Sequence, residues 1–294
     1  MKGSGTAADP FLVSSVDDLR SISSANSYYK LTTDLDVNNS EFKDGWTNAA
    51  MKCAEFNGNN FKISNIACRD HAVFTLYGDT VIKNLALKGM YLSDSPLFAA
   101  YSENQTVTLE NCIIEAEAHS VSSGYDVFIS HTFETMRLTK NTVLNLKLIT
   151  TAQISMHALF PATFADTTQF CIDWHVIEPW ESTRAVLFSS MGSLNDYFKN
   201  SFITGKVDCA LNLASNFSDC YIENSYLAVA APALNFSSGS SKPHINGTCF
   251  FDKNLTDSFT AEFSGTGKLY ALKTEQCKSL SYLQSIGFPV VSDV

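Results

Sequence analysis

The sequence predicts an all-β protein, a single-stranded parallel β-helix of about 8–10 turns with small caps at both ends. Three observations point there. Twenty-one Phe and eleven Tyr accompany many Val, Ile, Leu and Thr in a 294-residue chain, and these are strand formers. Short apolar runs alternate with Ser, Asn, Gly and Asp clusters from end to end. A small motif also recurs at a spacing that suits a solenoid.

The motif is usually a charged or polar residue, then Asn, then an apolar residue three positions later. It reads Ser64-Asn65 with Cys68, Lys83-Asn84 with Leu87, and Glu110-Asn111 with Ile114. Further along come Lys140-Asn141 with Leu144, Lys199-Asn200 with Ile203, Glu223-Asn224 with Leu227, and Ile245-Asn246 with Cys249. The intervals are 19, 27, 30, 59, 24 and 22 residues, so one degenerate copy is expected near Phe170-Cys171. A second marker precedes most copies: Val73-Phe74, Leu97-Phe98, Val127-Phe128, Leu159-Phe160, Leu187-Phe188 and Leu234-Phe236.

Stacked turns explain both markers. Each strand pairs with its equivalent one turn on, about 4.8 Å along the axis. Apolar slots then stack into a continuous core. A corner slot must bend the chain, and Asn tolerates the left-handed conformation there. Asn84, Asn111, Asn141, Asn200 and Asn224 are therefore predicted to form a structural ladder at equivalent corners. A β-propeller blade needs about 40 residues, and leucine-rich repeats have another spacing.

Helical periodicity appears only at the ends. One candidate covers 16–22; the other covers 274–283, with Thr274 as N-cap. This divides the chain into a cap and first turn (1–50), a β-helix (51–265) and a C-terminal cap with a short helix (266–294).

Composition excludes several classes. Hydrophobic residues make up 45%, too many for a disordered chain. Thirty acids face twenty bases, giving −10, so no basic footprint for nucleic acid exists. The longest uncharged stretch, 224–241, carries Pro232 and several serines and predicts no membrane span. The amino end has no apolar run of signal-peptide type. The eight cysteines contain no C-x-x-C pair, so neither a metal nor another cofactor is expected. Reduced thiols are favoured over disulfides, with Cys68, Cys112 and Cys249 buried.

The opening Gly5-Thr6-Ala7-Ala8-Asp9-Pro10-Phe11-Leu12-Val13, then Tyr28-Tyr29-Lys30-Leu31-Thr32-Thr33-Asp34-Leu35-Asp36, resembles the amino cap of right-handed β-helix proteins. These are the pectate-lyase-like and GLUG-repeat group. Phe56-Asn57-Gly58-Asn59-Asn60-Phe61-Lys62-Ile63-Ser64-Asn65 resembles their F-D-G-N-G-H-x-I-x-N segment. The GLUG glycines are mostly absent. The resemblance implies a right-handed helix and a role like that of phage tail or fibre proteins or bacterial surface adhesins. The expected function is thus a non-enzymatic structural or adhesion component, most readily of a phage virion assembled in the host cytoplasm. The alternatives are a glycan-degrading depolymerase, or an adhesin at the bacterial cell surface or secreted. Expected partners are other virion proteins or further copies of the chain, with a trimer favoured by analogy to phage fibres, and a host surface glycan.

Catalysis of glycan cleavage needs two converging carboxylates. Asp34 and Asp36 lie in the cap motif, where acids make turns. The segment Asp173-Trp174-His175-Val176-Ile177-Glu178-Pro179-Trp180-Glu181 combines acids, a His and two of three Trp. Trp faces stack on sugars and acids can protonate a glycosidic oxygen, but a structured loop explains the same residues. Trp174, His175, Glu178, Trp180 and Glu181 are accordingly the expected glycan or partner contacts, and no catalytic residue is assigned. A pectate-lyase mechanism needs calcium and an Arg or Lys base, and Arg184 is the only Arg or Lys between Leu148 and Phe198.

Overall fold

Strand after strand along the chain pairs not with its sequence neighbour but with a strand roughly one repeat away. The computed structural model describes residues 1–24, 26–38, 49–101, 105–120, 135–151, 156–160, 163–177, 184–188, 196–214, 220–236, 243–259 and 263–289. The result is a parallel β-solenoid with three sheet faces.

Sheet I holds ten strands, Phe11–Val13, Tyr28–Leu31, Glu55–Asn57, Thr80–Lys83, Thr106–Glu110, Thr135–Thr139, Thr163–Asp166, Asp196–Lys199, Cys220–Glu223 and His244–Asn246, stacked in sequence order. Sheet II stacks the strand that follows each corner, including Ala86–Ser93, Ile113–Ser120, Thr142–Thr151, Thr168–Ile177, Phe202–Val207 and Tyr226–Asn235. The third face has two parts. Ala49–Met51, Phe74–Leu76 and Phe98–Ala100 form one. Met156–Phe160, Arg184–Phe188, Ala210–Ala214 and the end of Tyr226–Asn235 form the other. The Phe of the second sequence marker falls on these strands at Phe74, Phe98, Phe160 and Phe188.

Alternation of side chains decides what each sheet buries. Leu87, Ile114, Leu144, Phe170, Ile203 and Leu227 are successive register partners, and none exceeds 1% exposure. Each such file contributes about 1.5–3 kcal/mol per large side chain removed from water.

The corner between sheets I and II is the most regular feature. Asn84 (φ 51°), Asn111 (51°), Asn141 (63°), Asn200 (47°) and Asn224 (46°) all sit there in the left-handed region. Asn111 Nδ2 donates to Asn84 Oδ1 at 2.8 Å, and Asn84 Nδ2 donates to Asn57 Oδ1 at 3.2 Å. The missing copy is filled by Thr167, φ 55°, whose neighbour Asp166 accepts from Asn200 Nδ2 at 3.0 Å. Two motif asparagines lie elsewhere. Asn65 occupies a bend inside sheet II beside Gly89, and the corner on that turn is the longer stretch Gly58 to Phe61, with Asn59 (φ 52°) and Asn60 (φ 65°) in the left-handed region. Asn246 is the register partner of Glu223, so Gly247 (φ 63°) takes the last corner.

A file of small polar residues follows the corner: Thr142, Thr168, Ser201 and Ser225, all nearly fully buried. Thr168 N donates to Ser201 Oγ at 2.9 Å, and Ser201 N donates to Ser225 Oγ at 3.1 Å. Each hydroxyl also donates to a corner carbonyl, as Ser225 Oγ does to Glu223 O at 2.7 Å. Buried backbone donors left over at the bend are thereby satisfied.

The caps are helical and short. Val16–Arg20 starts at N-cap Ser15, which accepts from Asp18 N. The C-terminal helix expected at 274–283 is two pieces, Thr274–Cys277 and Leu280–Ser285, and Ser279 caps the second by accepting from Tyr282 N. Thr274 is inside the first piece rather than its cap, which is Lys273. All eight thiols are free, and Cys53, Cys68, Cys112, Cys209, Cys220 and Cys249 are buried. No helix among the described residues is long and apolar enough to cross a membrane.

Candidate functional site

Strand Thr168–Ile177 strictly alternates buried and outward residues, and that parity sorts the expected contacts. Trp174 is an inward residue with 0% exposure, and its indole N–H donates to Thr150 Oγ1 at 3.1 Å. It is core and cannot touch a ligand, which corrects the contact role expected from sequence. His175 faces outward, its Nδ1 against Asp208 Oδ2. Glu178, Trp180 and Glu181 lie outside the described residues. The five ladder asparagines stand at the corner described above. Asp34 and Asp36 tie the first turn to the next: Asp34 accepts from Lys62 N at 3.0 Å and Asp36 from Asn65 Nδ2 at 2.8 Å, while Asp36 also closes a local turn by accepting from Asn38 N at 3.1 Å.

The same outward parity builds a different site. Glu115, Asn145 and Cys171 form one outward file on sheet II; Glu117, Lys147, Asp173 and Lys206 form the next. Between them runs an open trough of about 580 Å³ across five successive strands. Gly89 and Gly205 line it, and both carry positive φ. At Gly205 (φ 126°) an added Cβ would stand 1.9 Å from Ile172 O, so the two strand backbones approach too closely there for any side chain.

Its charges alternate in sign along the axis. Lys147 Nζ lies 3.0 Å from Glu117 Oε2, and His119 Nε2 lies 2.8 Å from Glu117 Oε1. Partial burial works against the Glu117 carboxylate, but the hydrogen bonds from His119 and Lys147 outweigh it and hold its pKa below the ordinary value. Asp208 behaves alike: burial opposes ionisation, and Lys206 at 2.9 Å with His175 overcomes it. Glu117 and Asp208, held below the ordinary value, are poorly suited to be the protonated acid that glycosidic cleavage requires. The trough thus offers an apolar lining with charged and hydrogen-bonding side chains along its edges.

A row of aromatic rings also climbs sheet I: Phe164, Tyr197, Tyr221 and His244. Tyr197 and Tyr221 stack at 4.9 Å and 13°, Tyr221 and His244 at 4.5 Å and 12°. Arg137 covers Phe164 at 5.6 Å. Tyr197, Tyr221 and His244 cover one another's faces and stabilise the stack, while Phe164 is tilted by 45° against Tyr197.

Apart from Asp173, which opens the segment noted above, the trough residues were not singled out from sequence. Their signal is an outward file of alternating sign, Glu117, Lys147, Asp173, Lys206, visible only once the variable repeat intervals are aligned.

No protein-family model matches the chain, and no curated protein matches it. A solved structure from Bacteroides ovatus, provisionally assigned as an immunoglobulin A1 protease, is similar at a TM-score of 0.51 and 16% identity. The alignment covers 94% of this chain and 88% of that one. At this identity the likeness concerns the fold. The class defined by fold and site is a parallel β-solenoid scaffold that carries, on one face, an open trough with a largely apolar lining edged by charged side chains.

Proposed function

We propose that the chain is a non-enzymatic structural and adhesive component whose sheet II trough holds an extended, hydroxyl-rich polymer such as a surface glycan. The observation that carries this is the outward file of alternating sign, Glu117, Lys147, Asp173 and Lys206, along the edge of the trough, in which Glu117 is ion-paired with Lys147 and His119. Such a file offers donors and acceptors in register with the rungs, about 4.8 Å apart, and suits a chain lying along the axis. Placement in a phage particle is part of this reading and rests on the resemblance of the amino cap to phage tail and fibre proteins; a bacterial surface is the alternative setting. The protease name of the structural neighbour is not carried over.

The test is retention on immobilised capsular and cell-wall glycans. The wild-type chain is expected to be retained, and Lys147→Glu with Asp173→Lys, both outward, to lose retention while keeping the fold. Equal retention of wild type and variant would overturn the trough as the contact face.

A further inference from the structure

We infer that the outward file beside the Asn corner of sheet II is a self-association surface on which two copies of this chain pair antiparallel. The file reads Ala86, Ile113, Val143, Gln169, Phe202 and Tyr226 on successive strands, with no charge over about 24 Å. Ile113 is 42% exposed. One rung further, the same file is already covered by the chain itself: Phe250 is 1% exposed under the edge of Phe288, 4.8 Å away at 74°. The corner alongside is tight. Only one or two residues separate the sheet I and sheet II strands at Asn84, Asn111, Asn141, Thr167, Asn200 and Asn224, so no corner loop stands in front of the file, and the C-terminal cap, at Phe288 and Pro289, flanks its Phe202–Tyr226 end.

Size and charge select the occupant and its direction. The file grows from Ala86 to Tyr226. A two-fold axis across the solenoid, between the Val143 and Gln169 rungs, sets Ala86 against Tyr226 and Ile113 against Phe202 of the second copy, keeping the seam even. The flanking sheet I file then sets Lys83 against Glu223 and Glu110 against Lys199 of the second copy. A parallel two-fold pair would instead bring the sheet I flank against the sheet II flank on the same rung. Lys83 would meet Lys88, and Glu110 would meet Glu115, like against like. These flank residues are already in ion pairs within the chain, such as Lys83–Glu55 at 2.6 Å and Lys88–Glu115 at 3.1 Å, so they set direction more than affinity. A chain at −10 needs such an uncharged seam to meet its own kind. The resulting assembly is isologous. Its seam borders the trough, because Glu115 lies beside the seam and lines the trough, so the second copy also flanks that edge of the adhesive site.

Sedimentation velocity of the full chain at micromolar concentration is expected to show twice 32.3 kDa. Ile113→Arg is expected to weaken the pair by roughly 100-fold, while Thr108→Arg, outward on sheet I, leaves it intact. Direction is read by cross-linking in a Cys171→Ser background. Within one chain, Ile113 and Phe202 are three strands and about 14 Å apart, beyond disulfide reach. Ile113→Cys mixed with Phe202→Cys is expected to give the mixed covalent dimer, and Ile113→Cys alone to give none. Glu115→Cys mixed with Thr204→Cys gives the same answer should Phe202→Cys fail to fold. A monomeric wild type, an unchanged Ile113→Arg pair, or Ile113→Cys linking to itself would each overturn the proposal.

Discussion

Replacing Asn111 tests what the corner asks of a residue. Its φ is 51°, and its side-chain amide donates to Asn84 Oδ1 at 2.8 Å. Asn111→Ala loses two things. A non-glycine residue without a locally bonding side chain costs roughly 1–2 kcal/mol in the left-handed region. The hydrogen bond lies at an exposed corner and is worth about 0.5–1 kcal/mol, the low end of the usual range. The alanine variant should therefore lose about 1.5–3 kcal/mol. Asn111→Gly loses the bond but not the conformation, and its freer unfolded state costs a further few tenths, so about 1 kcal/mol is expected. Urea denaturation followed by circular dichroism would read both. Alanine tolerated as well as glycine would refute the left-handed corner as the reason for asparagine.

Further outcomes follow from the packing and the charges. Leu144→Ala, at 0% exposure in the central file, should cost about 2–5 kcal/mol in the same denaturation assay. Gly205→Ala should be destabilising by about 2 kcal/mol or more, because φ is 126° and the new Cβ meets Ile172 O; a neutral result would contradict the local geometry. Glu117 and Asp208 have depressed folded pKa values, so their contribution is complete above the unfolded carboxylate value near 4 and is lost as pH falls through the lower folded values. Stability should accordingly drop from about pH 5 downward, with a smaller drop for Asp208→Asn, measured by thermal melts across pH. A thiol reagent should label exposed Cys171 first in the native protein. Burial pushes the thiol of Cys53 up to about 12 and those of Cys112 and Cys249 up to about 11, so these three should wait for denaturant.

Much of the scaffold was legible because stacking repeats the same demand on every turn. The motif found Asn84, Asn111, Asn141, Asn200 and Asn224 together with the inward Leu87, Ile114, Leu144, Ile203 and Leu227. It also drew in Asn65, because asparagine serves any left-handed bend, and sheet II has its own at Asn65 and Gly89. Gly247 escaped because glycine meets the same demand without the signature, and Thr167 escaped because a β-branched residue at φ 55° contradicts local preference. Trp174 was misplaced for a related reason. The run Asp173 to Glu181 looks like a loop rich in chemistry, but its first half continues strand Thr168–Ile177, and strand parity turns the indole inward. The trough was hidden because its neighbours are about 30 residues apart in sequence. Intervals that vary from turn to turn conceal the alternation of Glu117, Lys147, Asp173 and Lys206 until the register is known.

The central claim is that the trough holds its polymer without cutting it. Its most direct test is size analysis of a retained glycan after prolonged incubation with stoichiometric protein, read by mass spectrometry. The account expects the glycan to be bound and its length distribution unchanged from pH 5 to 8. Accumulation of shorter chains that disappears on replacing Glu117 or Asp173 by the corresponding amide would contradict it, and would make the trough an active site.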